Sequence, residues 1–215
     1  MSKISLRIKS FITVSGNKLP LAVLIIGILL RASGFYQWQF GFDQVQIIEA
    51  AKQLAAGDLT LIGPRTGPAT LFTGPLIYYL TAGFILLGFN YYSLIFTSIL
   101  LSCLSGLAIY YLAKRYLDSK KALISLVIWC FSFFLISHDQ ITWNPNLTLL
   151  ASSLLFFPLL ASLGIFKLKM RDFIFVFIGS FLGYQAHFSG LLFLPLSLLF
   201  LLGKNKYQAI KLMIV

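Results

Sequence analysis

Only six residues of this chain are acidic and only two are histidines. Each carboxylate or imidazole outside an apolar run is therefore a candidate for chemistry. Asp43 follows an aromatic run, Phe35-Tyr36-Gln37-Trp38-Gln39-Phe40, of the kind found at a membrane–water interface. From Asp43 to Ala56 the spacing is helical, with Val45, Ile48, Leu54 and Ala55 on or near one side. Asp43 holds the place of an N-cap before good helix formers. The pattern predicts a short helix at the bilayer surface with Asp43 and Gln44 at its start and Gly57-Asp58 at its close. A carboxylate held there could take a proton from a hydroxyl as a general base; helix capping is the plainer alternative. Gly63-Pro64-Arg65-Thr66-Gly67-Pro68 reads as a loop, and its Arg65 is a cation for an anionic group. His138, Asp139, Asn144 and His187 are further polar residues bounding apolar runs. Each has a plainer role: a solvated loop for His138 and Asp139, a cap for Asn144 before Pro145, and a hydrogen-bonded interface histidine for His187. Lys52 is a weaker candidate, because a lysine on a surface helix usually faces water.

The elements that would position these residues read as membrane. Of the 215 residues, 59% are hydrophobic and 11% charged, with a mean hydropathy of +0.89. Soluble domains carry about 25% charged residues. The net charge of +11 is spread in small basic clusters between apolar runs, which is how cytoplasmic loops look and excludes nucleic acid as the partner. Cys103 and Cys130 fall inside apolar runs with no metal-ligand spacing around them, so both read as buried thiols. No motif fixes a cofactor, and a divalent metal is left open. The basic N-terminus and the apolar stretch after it lack a small-residue cleavage pattern and read as an anchor.

Apolar runs predict an all-α bundle of about six or seven spans: 19–36, 92–113, 122–137, 145–166, 172–186, 190–202, and one starting near 208. Arg31 lies one turn from the outer end of the first, as a snorkelling side chain or a cation near the site. Gly74–Phe89 is apolar but only 16 residues long, short of the roughly 20 that a span needs. If it does not cross, 14 of the 17 basic residues fall on one side: Lys3, Arg7, Lys9 and Lys18, the loops with Lys114, Arg115, Lys120 and Lys121 and with Lys167, Lys169 and Arg171, and finally Lys204, Lys206 and Lys211. The positive-inside rule makes that side cytoplasmic. The N-terminus is then cytoplasmic, and 37–91 is an external loop carrying two juxtamembrane helices. Asp43, Glu49, Asp58, Asp139 and both histidines share the outer face. Asn146-Leu147-Thr148 matches a glycosylation sequon by chance, being at the start of a span. The final residues stop inside an apolar run, so 1–215 reads as the N-terminal part of something longer.

Phe42-Asp43-Gln44, Gly57-Asp58, the Gly74-Pro75-Leu76-Ile77-Tyr78-Tyr79 entry to a second juxtamembrane helix, Asn144-Pro145 and Gln185-Ala186-His187 occur in an order that resembles GT-C class membrane glycosyltransferases. The branch is that of protein O-mannosyltransferases and lipid A aminoarabinose transferases. Two features depart from it: many relatives have Asp-Glu where this chain has Asp43-Gln44, and some have a lysine where it has Gly74. The resemblance implies transfer of a sugar from a polyprenyl-phosphate donor, drawn from the membrane lipid, to an acceptor on the outer side. Asp43 would be the catalytic residue, and Arg65, His187, Asp139, Asn144 and Gln44 would bind substrate. The alternatives are a lipid-linked-sugar transporter or flippase, which would carry ionisable groups inside its spans, or an inactive membrane fragment.

Overall fold

The computed structural model describes residues 18–34, 38, 40–66, 71–167 and 169–202. The basic arm before Lys18, most of the aromatic run at 35–39, Gly67-Pro68, the basic group Lys204, Lys206 and Lys211 and the expected last span lie outside the described residues. The described chain is all-α apart from one small hairpin. Its elements are α1 (Lys18–Ala32), α2 (Phe42–Ala55), β1 (Arg65–Thr66), β2 (Leu71–Phe72), α3 (Leu76–Leu86), α4 (Ser93–Tyr116), α5 (Ser119–Phe131), α6 (Phe133–Asp139), α7 (Leu147–Ser162), α8 (Met170–Ala186) and α9 (Phe193–Leu202). Short 3₁₀ turns precede α4, α7 and α9, at Asn90–Tyr92, Asn144–Asn146 and Phe188–Leu192.

Asn90–Tyr116 and Asn144–Ser162, at 27 and 19 residues, are long and apolar enough to cross a membrane. Ser119–Phe131 and Phe133–Asp139 add a third if the two are one span, but they meet at a 60° bend. The continuous run expected over 122–137 is therefore broken. Ser132 is the break: its backbone is extended, and its Oγ accepts from the Leu135 N–H to start α6. The described parts of the other expected spans, α1, α8 and α9, are shorter. The expected Gly74–Phe89 helix is α3, only 11 residues, or about 16 Å at 1.5 Å per residue.

Two features of α2 differ from the expectation. Its N-cap is Gly41, whose N–H donates to Gln44 Oε1 at 2.8 Å; Asp43 sits in the first turn. Its buried stripe is Gln44, Ile47, Ile48, Ala51 and Leu54, while Val45 faces out at 55% exposure. The close at Gly57-Asp58 is as expected. Gly57 takes φ +108°, Gly57 N–H donates to Leu54 C=O, and Asp58 N–H donates to Gln53 C=O, a Schellman pair that satisfies the last carbonyls of the helix.

The α2 stripe packs on Ile77, Tyr78 and Ala82 of α3, on Leu94 and Leu101 of α4, and on Leu147 and Ala186. Small polar residues stitch the helices inside this layer: Thr81 Oγ1 of α3 lies 3.3 Å from Thr97 Oγ1 of α4, both buried. A second cluster joins Val23 and Leu24 of α1 to Leu126, Trp129 and Cys130 of α5. A Cβ on Gly27 would overlap the Trp129 ring, so this close approach of α1 and α5 depends on glycine. A third joins Leu155 and Ala161 of α7, Val176 of α8 and Phe200 of α9.

The bundle has two chemically different ends. At one, Arg115 at the end of α4 pairs with buried Asp172 at the start of α8, which joins the basic loop Lys114–Lys121 to the basic loop Lys167–Arg171. At the other, the starts of α2, α3, α4 and α7 gather beside the C-terminal end of α8.

Candidate active site

That second end holds a cavity of about 520 Å³, within the range of small-molecule sites. Four segments build it. The first turns of α2 contribute Phe42, Asp43, Gln46 and Ile47; the hairpin contributes Pro64 and Arg65; the turn before α7 contributes Trp143, Asn144 and Pro145; and the end of α8 contributes His187.

Backbone bonds fix the hairpin, and side-chain bonds fix the segments around Asn144 and His187. In the hairpin, Arg65 pairs with Phe72, and the ladder continues with Gly63 N–H to Thr73 C=O and Thr73 N–H to Pro64 C=O, both 3.0 Å. Asn144 Nδ2 donates to the Ala186 carbonyl, one of the carbonyls a helix C-terminus leaves unpaired. Asn144 is thus a tie between the α7 turn and α8, with its carboxamide buried against the cavity. His187 Nδ1 accepts the Ser189 N–H at 3.3 Å. In the neutral ring this puts the proton on Nε2, which becomes a donor. Asp43 is exposed and has no hydrogen-bond partner among the described residues.

Asp43, Arg65, Asn144 and His187 are therefore brought together from chain positions 144 residues apart at the extremes. Gln44 and Asp139 are not among them. Gln44 is buried and spends its carbonyl on Gly41. Asp139 is 3% exposed and accepts from Arg31 Nε at 2.7 Å and from Ser102 Oγ at 2.5 Å. Arg31, 1% exposed, also donates to the Gly27 and Trp129 carbonyls, both at 3.0 Å, and lies 4.0 Å over the Trp129 ring. Neither the solvated loop nor the snorkelling arginine describes these residues; they are a buried, satisfied ion pair. His138 Nδ1 stands 3.6 Å from Asp139 Oδ1, too far for a hydrogen bond. Lys52 pairs with Glu49 at 2.7 Å and covers the Tyr91 ring; the hydrogen bond to Glu49 raises its pKa above the ordinary lysine value. Asn146 buries its Nδ2 against Ser98 Oγ and the Ile141 carbonyl, which rules out the sequon as a glycan acceptor in this fold.

Gln46 and Trp143 line the cavity without having been expected there. Gln46 had a readable signal, since it lies three residues after Asp43 on one helix face. Among the described residues no group of three or more His, Cys, Asp or Glu side chains could hold a metal. Among the described residues, Asp43 and His187 are the cavity's only carboxylate and imidazole, short of the oxygen sets that hard divalent cations take.

Residues 72–215 match the model of the dolichyl-phosphate-mannose-protein mannosyltransferase family. The chain belongs to this family. It is thereby a membrane glycosyltransferase of the GT-C type, in keeping with its apolar helices. The matched region of this mannosyltransferase family holds Asn144 and His187, whereas Asp43 and Arg65 lie before it. No curated protein and no solved structure matches the chain.

Proposed function

We propose that the cavity transfers a glycosyl group from a polyprenyl-phosphate-linked sugar to an acceptor hydroxyl on the outer side of the membrane, with Asp43 as the base. The observation that carries this reading is the meeting of an exposed carboxylate with Arg65 and His187 in one cavity. The acceptor O–H gives its proton to the Asp43 carboxylate as the acceptor oxygen bonds to the anomeric carbon. The bond from that carbon to the phosphate oxygen breaks, and the electron pair leaves with the phosphate. Arg65 and the His187 Nε2–H stabilise the charge that develops there. The family's description, with its dolichyl-phosphate-linked mannose, supports a lipid-linked donor.

An outer-side site is supported by the two-ended bundle. Both basic loops meet at the Arg115–Asp172 pair, at the end away from the cavity. The positive-inside rule then makes the basic end cytoplasmic. On this reading α1, α8 and α9 also cross, as parts of a multi-pass bundle of six to seven spans with its N-terminus inside, and α2 and α3 lie along the outer surface.

The test is release of sugar from dolichyl-phosphate mannose by membranes expressing the chain, comparing wild type with Asp43→Asn. General-base catalysis contributes about 10²–10⁴-fold, and a loss of that size with unchanged expression is expected. Wild-type release by Asp43→Asn would remove Asp43 from the mechanism.

A further inference from the structure

Arg65 and His187 come from segments with no direct bond between them in the ladder or the turn described above. What joins them is Gln185. It lies two residues before His187 at the end of α8, is 6% exposed, and its Oε1 accepts the Leu76 N–H at 3.1 Å. Leu76 opens α3, whose N-cap position is Pro75 and which has no side-chain cap of its own. The first N–H groups of a helix need an outside acceptor, and Gln185 supplies it from a residue 109 positions away.

The cap needs space, and Gly74 provides it. A Cβ on Gly74 would overlap the Gln185 carboxamide. Gly63 makes the next contact: a Cβ there would overlap the Gly74 carbonyl, and Gly63 itself bonds Thr73. A short rigid path thus runs from His187 through Gln185 to the α3 start, to Thr73 and Gly63, and on to Pro64 and Arg65. Thr73, in its middle, is 5% exposed, and its Oγ1 also donates to the Pro64 carbonyl at 3.3 Å.

We propose that Gln185 is a positioning residue that sets the separation of Arg65 and His187 across the cavity by capping α3 through the space left at Gly74. Its kinetic consequence rests on the glycosyl-transfer reading; its geometric consequence does not. The test places spin labels at Leu71→Cys on the hairpin and Phe188→Cys beside His187, both exposed, in a Cys103→Ser, Cys130→Ala chain in lipid nanodiscs. The distance between them is then measured with and without further substitutions.

Gln185→Ala is expected to broaden and shift the distance distribution and to lower kcat/KM for dolichyl-phosphate mannose about ten- to a hundredfold, as about 1 Å of misplacement does. Gln185→Glu keeps an oxygen for the Leu76 N–H and is expected to keep the wild-type distribution. Gly74→Ala displaces the carboxamide and is expected to reproduce Gln185→Ala. The double variant is expected to be no worse than either, because both break one contact. If the wild type transfers no sugar but the distances respond in this way, the glycosyl-transfer reading falls and the positioning role stands. Unchanged distances in both Gln185→Ala and Gly74→Ala, or effects of the two that simply add, would overturn it.

Discussion

A carboxylate that acts as a base and one that holds a fold respond differently to loss of charge, and the proposed mechanism gives Asp43 the first role where the structure gives Asp139 the second. Asp43 is exposed at the cavity with no hydrogen-bond partner among the described residues; Asp139 is buried on Arg31 and Ser102. Asp139→Asn removes the charge opposite a buried guanidinium. Breaking one side of a buried pair costs about 3–5 kcal/mol, so a large fall in melting temperature is expected. Asp43→Asn, by contrast, is expected to melt like wild type. If Asp139→Asn melts like wild type, the pair does not hold α1 to α6. At the cavity, Arg65→Gln is expected to slow turnover about 10²–10³-fold, the usual loss for one oxyanion donor, measured with dolichyl-phosphate mannose as donor. A rate near wild type would leave phosphate stabilisation to His187. Asp43, Asn144 and His187 stood out in the sequence as polar residues bounding apolar runs, and Arg65 as the cation of a Gly/Pro loop. The roles of Arg31 and Asp139 were not legible there. Their partners lie 108 residues apart, and nothing local distinguishes a buried, paired carboxylate from a loop carboxylate next to a histidine.

At the scale of elements, the hydrophobic pattern located the helices and misread some of their ends and one phase. The α2 phase was misread because Gly41 caps the helix through Gln44, so that Asp43 moves from cap to first turn and turns toward the cavity. The α5–α6 break was invisible because no proline or glycine marks it; Ser132 bends the chain by an extended backbone and a hydroxyl cap inside an apolar run. The α2 close was readable, because a Gly-Asp step after a helical run is a left-handed C-cap signal. It also makes a prediction. Gly57→Ala puts a Cβ on a residue at φ +108° with open space around it. The cost is therefore backbone strain alone, about 1–2 kcal/mol. Faster amide exchange confined to the last turn of α2 is expected, with the cavity and the turnover unaffected; unchanged exchange would show that the turn relaxes without the left-handed residue.

For the whole molecule, the separation of the basic end from the cavity end predicts which residues water-soluble probes reach from each side. Single cysteines at Thr66 and Ser189, in a chain lacking Cys103 and Cys130, are expected to react with a membrane-impermeant thiol reagent added outside intact cells. A cysteine at Ser119, in the basic loop, is expected to react only after permeabilisation. Labelling of Ser119→Cys in intact cells would invert the bundle and move the cavity to the cytoplasmic side. The all-α architecture was readable from composition and run length. The closure of the cavity by α8 was not, because it depends on side-chain ties such as Asn144 to Ala186 and Gln185 to Leu76 that no periodicity encodes. The Arg31–Asp139 pair has one more consequence, in time rather than space. At about 5–20 residues per second, the ribosome delivers Asp139 roughly 5–20 s after Arg31, the pair being 108 positions apart. Throughout that interval Arg31 lacks the carboxylate that it pairs with in the folded chain. The tie between α1 and α6 is therefore one of the later contacts the chain can make, available only once residue 139 has been synthesised.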